Sequence, residues 1–280
     1  MISVQNAYFN YPDGPQVLHG VNLQIKDGEF VAIMGENGAG KTTLVKMFNG
    51  LLKPTKGTVE IDGVKTGEKS VAQMSRDVGL IFQNPDNQLF AETVTQELAF
   101  SLRNFGFRED VIQKRVDSFL HLLDLESYAS SSPFVLSGGE RKRVALAAIL
   151  VWDPKYVIMD EPTIGQDYLQ KERLRNFITQ LVSQGKSIVV VTHDVEFVAE
   201  CKPRVVLLSR GTVIGDGPAT RILTDHTLVD SASLRMPQIA TLMKRLGDDA
   251  GASQEIIEVY GARDYLLRKI HARAAAEESQ

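Results

Sequence analysis

Eight consecutive residues, Gly35-Glu36-Asn37-Gly38-Ala39-Gly40-Lys41-Thr42, fit the spacing G-x-x-x-x-G-K-[ST]. Glycines at these positions let backbone N–H groups crowd around phosphate oxygens where side chains would clash. The lysine brings a point charge to the β- and γ-phosphates, and the threonine hydroxyl is a ligand for Mg²⁺. The chemistry implied is the binding of a nucleoside triphosphate. Two further groups could act on it. The apolar run Tyr156–Met159 ends in the carboxylates Asp160 and Glu161, and the run Ser187–Val191 is followed closely by His193. Taken singly, Asp160 and Glu161 also read as a helix cap with Thr163, and a lone histidine is most often structural. At this point both readings stay open.

These groups need elements to hold them. Phe30–Met34 reads as a buried strand entering the loop, and Thr43–Phe48 begins a helix whose positive end faces the phosphates. Upstream, Met1–Phe9 and Val21–Ile25 alternate as antiparallel strands around the turn Pro12-Asp13-Gly14-Pro15, and Thr58–Ile61 adds another. From Val78 the pattern becomes α/β: Val78–Phe82, Tyr156–Met159, Ser187–Val191 and Val205–Leu208 are β-branched-rich runs, as expected of parallel strands covered on both faces. Thr93–Trp152 is almost wholly helical in period and reads as an inserted helical subdomain, about 84–152. Arg210-Gly211 joins Val205–Leu208 to Thr212–Ile214 as a hairpin. The first domain is placed at 1–217 and a C-terminal extension at 218–280. In that extension Ile239, Leu242, Met243 and Leu246 mark an amphipathic helix, Gly247–Ser253 a linker, Glu255–His271 a second amphipathic stretch, and Ala272–Gln280 a frayed tail.

Bulk properties exclude several classes. A formal charge of −4 with no Lys/Arg stripe argues against a nucleic-acid partner. The single cysteine, Cys201, cannot close an internal disulfide and points to a reducing compartment. The N-terminus has no basic-then-apolar pattern, and the longest apolar stretch, Val144–Trp152, is about half of what a spanning helix needs. His19, His121, His226 and His271 fit no metal spacing.

Leu136-Ser137-Gly138-Gly139-Glu140 by itself is a helix-capping turn before the helix Arg141–Val151. With the glycine loop before it and the Asp160-Glu161 strand after it, the chain from Ile2 to Gly217 resembles the ATP-binding cassette ATPases. The resemblance implies a P-loop NTPase fold with a mixed core sheet, an antiparallel β layer and the helical insertion. It implies ATP and Mg²⁺ as cofactors. It also implies the role of each matching residue. Gly35–Thr42 with Thr43 cradles the phosphates. Gln83 touches Mg²⁺ and the attacking water, Asp160 and Thr42 hold the metal, Glu161 is the general base, and His193 contacts the γ-phosphate. Tyr11 stacks on adenine, with Tyr8 and Phe9 as alternatives. Ser137, Gly138, Gly139 and Glu140 meet the nucleotide held by a second cassette, so the chain works as a pair with itself or a paralogue. Two positions depart from the pattern: Gln166 stands where the family carries leucine ahead of Asp167, and Glu140 replaces a commoner glutamine. Arg141–Arg143 reads as a solvated helix face, with a phosphate-facing patch as the alternative.

Phe82–Phe90, Phe9–Gly14 and the helix opening Met236-Pro237-Gln238-Ile239 are similar to the ATPases of energy-coupling-factor transporters, including cobalt and nickel systems. That resemblance implies a transmembrane coupling subunit and a substrate-binding membrane subunit, a place on the cytoplasmic face of the membrane, and import of a vitamin or metal ion. It also implies a groove at Gln83–Phe90 using Leu89 and Phe90, and dimer contacts from the C-terminal helices. The ATPase of another importer or exporter, and a soluble assembly ATPase, are the alternatives.

Overall fold

A computed structural model describes residues 1–246 and 256–278. The expected linker Gly247–Ser253 lies outside the described residues. The chain forms two sheets. The first is antiparallel: β1 (Ile2–Asn10), β2 (Gln16–Ile25), β4 (Lys56–Ile61) and β5 (Val64–Lys65) lie in the order β2-β1-β4-β5. The second contains β3 (Phe30–Met34), β6 (Val78–Ile81), β7 (Tyr156–Asp160), β8 (Ser187–Thr192), β9 (Arg204–Ser209) and β10 (Thr212–Pro218), in the order β10-β9-β3-β8-β7-β6. All its pairs are parallel except the terminal β9–β10 hairpin, which the sequence expects at Arg210-Gly211.

The parallel register decides where the chemistry sits. Met34 lies beside Thr192, Asp160 beside Val191, and Ile81 beside Met159. The loops leaving β3, β6, β7 and β8 therefore all emerge at one edge of the sheet, the carboxyl edge where ligands of open α/β folds bind. Strands β7 and β8 are buried at every position, which is why they read as continuous apolar runs and not as alternating ones.

Three apolar clusters divide the interior. One lies between the two sheets and includes helix α1 (Lys41–Phe48) and, near its margin, the short helix α2 (Val71–Met74). A second belongs to the helical insertion: α3 (Val94–Asn104), α4 (Glu109–Leu122) and α5 (Gly138–Leu150) pack Leu98, Leu102, Val116 and Val144 into a core of their own. The helical insertion thus packs around a cluster of its own. The third lies on the other face of the large sheet under α6 (Tyr168–Ser183) and α7 (Val195–Cys201).

The C-terminal extension continues that third cluster. Helices α8 (Ala219–Ile222), α9 (His226–Ser231) and α10 (Gln238–Leu246) bury Ile222, Leu223, Val229 and Ala240 against it. The amphipathic stripe of α10 is split. Met243 is fully buried against the chain itself, whereas Leu242 and Leu246 stay exposed. Met243 is therefore core and is unavailable to a partner. The last helix, α11 (Val259–Glu278), starts four residues after the expected Glu255 and runs through Ala272 to Glu278. The tail expected to fray from Ala272 is helical to that point.

Candidate functional site

Between β3 and α1 the glycine loop turns so tightly that only glycine fits at two points. Gly35, at φ +148°, lies where a Cβ would come 2.0 Å from the Leu208 carbonyl oxygen. Gly40, at φ +98°, is the residue from which α1 starts, with Leu18 Cδ2 2.7 Å from where its Cβ would be. Lys41 follows at the first turn and is 6% exposed. Its Nζ donates to the carbonyl oxygens of Gly35 at 2.8 Å and Glu36 at 2.9 Å, so the ammonium is wrapped by its own loop. Burial lowers its pKa, opposed by the charges of Glu161, Asp160 and Glu36. A triphosphate arriving here would replace two carbonyl dipoles with full negative charge.

Across the edge, the Thr42 hydroxyl donates to Asp160 Oδ2 at 2.8 Å. Asp160 is 4% exposed, and its second oxygen, Oδ1, is buried without a hydrogen-bond partner. Burial pushes its pKa up, the Thr42 bond opposing. An orphaned carboxylate oxygen beside a threonine hydroxyl is a hard, anionic donor set that fits a magnesium ion keeping part of its water shell.

Glu161 occupies the left-handed region, φ 49°, a conformation that costs a non-glycine residue about 1–3 kcal/mol. Its N–H donates to the Val191 carbonyl at 2.8 Å, which holds it there. The turn re-aims the carboxylate. Oε1 lies 2.8 Å from His193 Nδ1, and Oε2 accepts from the Thr192 hydroxyl at 3.2 Å. Because a carboxylate can only accept, Nδ1 carries the proton and Nε2 is left to the cavity. That cavity holds about 460 Å³, and its walls include Tyr11, Lys41, Gln83, Glu161 and His193. Tyr11 reaches it with its hydroxyl 3.2 Å from Thr43 Oγ1 and its ring edge-on to Phe9. Of the two alternative aromatics, Phe9 is core, and the Tyr8 ring lies over Gly20, away from the cavity.

Gly35, Glu36 and Ala39 do not line this cavity but build its loop. The Glu36 carboxylate instead accepts from the hydroxyl of Ser233 in the C-terminal extension, 2.8 Å away. The four residues Ser137, Gly138, Gly139 and Glu140 are absent from its lining as well. They cap α5: the Ser137 hydroxyl accepts from the Glu140 N–H, and the Glu140 carboxylate accepts from the Ser137 N–H at 2.7 Å. Tyr128 donates to the same carboxylate at 2.7 Å and, together with Ser137, holds its pKa down to about 2.

Sequence reasoning missed several positioning residues. Thr192 holds Glu161, Asp194 caps α7 and pairs with Lys171, and Gln88 accepts from the Phe82 N–H while donating to Ala145 of α5 at 2.8 Å. Thr192 and Asp194 flank His193 and Gln88 lies within Phe82–Phe90, but their contacts to Glu161, Lys171 and Ala145 are with residues distant in the chain. The basic run on α5 is not a solvated face: Arg141 pairs with Asp86 at 3.5 Å, and Lys142 donates to the Ile164 carbonyl. Leu89 is buried in the helical core, so of the two residues expected at the groove only Phe90 is exposed, in edge-to-face contact with Phe100 at 4.5 Å.

A glycine loop on β3, a carboxylate pair on β7 and a histidine after β8, with an inserted helical block between β6 and β7, define a cassette-type nucleotide hydrolase. The model of the ABC transporter family matches residues 18–164, and the chain belongs to that family of ATP-hydrolysing cassettes. An energy-coupling factor transporter ATP-binding protein, EcfA, of Methanosphaera stadtmanae is 39% identical over 275 residues, 96% of this chain and 99% of that one. Among solved structures, cbiO1 from Clostridium perfringens, part of the ABC transporter complex cbiONQ, superposes with a TM-score of 0.73 at 36% identity, covering 87% of this chain and 98% of its own. An ATP-binding cassette solved as a dimer after hydrolysis, with ADP and Pi, gives a TM-score of 0.71 at 32% identity over 78% of this chain and 99% of its own. Among the described residues no helix is long and apolar enough to cross a membrane.

Proposed function

We propose that this chain is the ATPase subunit of an energy-coupling-factor type importer, acting as one half of a cassette pair on the cytoplasmic face of the membrane. The observation that carries this reading is the meeting of Lys41, Thr42, Asp160, Glu161 and His193 at one sheet edge, with the Ser137 turn outside it. Lys41 holds the β- and γ-phosphates, and Tyr11 stacks on the base. Thr42, Gln83 and Asp160 would hold a magnesium ion, which when bound neutralises charge building on the phosphate oxygens. Glu161, oriented by Thr192 and His193, takes the proton of the attacking water, and His193 Nε2 faces the γ-phosphate. The α5 N-terminus of a second cassette, carrying Ser137–Glu140, closes the nucleotide from the far side with its positive dipole.

The match to EcfA and cbiO1 supports the transporter subtype, because one is named as the ATP-binding protein of an energy-coupling factor transporter and the other as part of an ABC transporter complex. The exposed Phe90–Phe100 pair supports a coupling subunit docking there, and a substrate-binding membrane subunit would carry the choice of vitamin or metal ion. The test is Glu161→Gln. Losing a positioned base costs roughly 10²–10⁴ in rate. The variant is expected to hydrolyse ATP at least 100-fold more slowly while still binding it, and to double in mass with ATP on size-exclusion chromatography. Hydrolysis at the parent rate would remove Glu161 as the base, and a mass unchanged by ATP would remove the paired cassette.

A further inference from the structure

A second cavity, of about 270 Å³, lies between α5 of the helical block and α6 of the core. Leu146, Met159, Leu174 and Phe177 form apolar parts of its wall. Three cations, Lys142, Arg143 and Arg173, also line it, and none of them forms an ion pair among the described residues. The Nε of Arg143 is buried with no hydrogen-bond partner. Lys142 has only the Ile164 carbonyl, a dipole where a charge would serve better. Asp124 and Asp160 line the cavity too, and Glu140 acts on Arg143 from the turn, so the lining itself sets three cations against two carboxylates. An apolar lumen with a few convergent polar groups is the usual form of a small-molecule site, and this volume is slightly below the range of about 300–1,000 Å³ that drug-sized ligands occupy.

We propose that this cavity binds a small carboxylate with an apolar body, and that its occupancy slows ATP hydrolysis. The carboxylate meets Arg143, Lys142 and Arg173, and the apolar body fills the space over Leu146, Leu174 and Phe177. Gln83 lines this cavity and the nucleotide cavity alike, and Asp160 also lines this one. A ligand spanning α5 and α6 would fix the helical block, and with it the Ser137 turn, against the Asp160–Glu161 edge. A ligand that prefers one arrangement shifts the population toward it.

The probe is 2-naphthoate, with the uncharged isostere 2-naphthamide as control, titrated against the full chain by saturation-transfer NMR and in an ATPase assay. Naphthoate is expected to bind at least tenfold more tightly than naphthamide and to lower ATPase activity severalfold at saturation. Leu174→Trp, which fills the lumen, should abolish naphthoate binding and with it any further inhibition by naphthoate. Arg173→Gln, at an exposed position, should weaken binding at least fivefold and decides the matter if the tryptophan variant loses its thermal transition. Absence of naphthoate binding, equal binding of the amide, or binding that both variants leave unchanged overturns the site. Binding without inhibition overturns its link to hydrolysis. The NMR arm does not depend on the transporter reading, so a failure here is distinguishable from a failure of that reading.

Discussion

The nucleotide cavity and the Ser137 turn are both anion-binding designs, but the chain leaves them in opposite states. The cavity and its margin hold groups with unmet needs: Lys41 is buried among carbonyls, Glu161 is held in a costly backbone conformation, and Asp160, which is bonded to Thr42 of the lining but is not itself part of it, leaves Oδ1 without a partner. The Ser137 turn is satisfied within itself, through a reciprocal capping box and the Tyr128 hydroxyl. Buried, unpaired polar groups are expensive and persist where a ligand completes them. A self-satisfied turn has no such demand and meets a ligand only when another molecule brings one to it. In the proposed reading, binding is built into one chain, while completion of the site is left to assembly.

Lys41→Ala should have the largest effect on the binding half. A hydrogen bond to a charged group contributes about 1.5–3 kcal/mol, so ATP affinity of the isolated chain should fall at least tenfold in equilibrium dialysis. Unchanged affinity would remove the glycine loop as the phosphate site. Asp160→Asn sharpens the same half in a different way. It keeps the shape and removes a buried charge whose pKa burial has raised, so the thermal midpoint without nucleotide should stay level or rise, while magnesium-dependent hydrolysis is lost. A midpoint several degrees lower would mean that the carboxylate supports the fold and not a metal. Ser137→Ala probes the other half. Loss of an N-cap costs about 0.5–2 kcal/mol, and ATP affinity of the isolated chain should not change, but hydrolysis should fall more than tenfold. An equal loss in both assays would place Ser137 in the same chain's cavity and break the contrast.

The binding half was legible in the sequence because each part is a local event. Gly35 and Gly40 are demanded by backbone geometry within the loop, and Asp160, Glu161 and His193 each follow an apolar run that can only be a buried parallel strand. The register Met34–Thr192 and Asp160–Val191 then brings them together without further instruction. What was not legible depends on contacts between distant segments. The bond from Ser233 to Glu36 spans 197 residues, and Gln88 joins the loop after β6 to α5 across 57. Leu89 was misread for a related reason, and for Met243 the partner and core readings both stayed open. Their apolar character was plain, but whether such a residue faces a partner or its own core is set by the packing of α3–α5 and of α10, which periodicity does not encode. The half-buried basic run Arg141–Arg143 shows the same limit for charges, since long side chains can lay their stems along apolar surface while their heads find partners.

The smallest expected effect concerns the acid response of the turn. The Tyr128 hydroxyl first, and Ser137 after it, hold the Glu140 carboxyl down to about 2, well below the ordinary carboxylate value of about 4.3. A group whose pKa is depressed by folding contributes stability above its unfolded pKa, and that contribution fades as pH falls toward the folded value. Glu140 therefore supports α5 fully at neutral pH and progressively less between about pH 4 and pH 2. Glu140→Gln keeps the capping geometry but cannot titrate. Its urea midpoint should lie slightly below the parent's at pH 7 and converge with it at pH 3, where the fold survives, because the parent is then losing what the variant never had. A gap that stays constant between the two pH values would mean that Glu140 acts through shape alone. The turn would then be no more finished electrostatically than the cavity, and the contrast between the two regions would rest on Ser137 only.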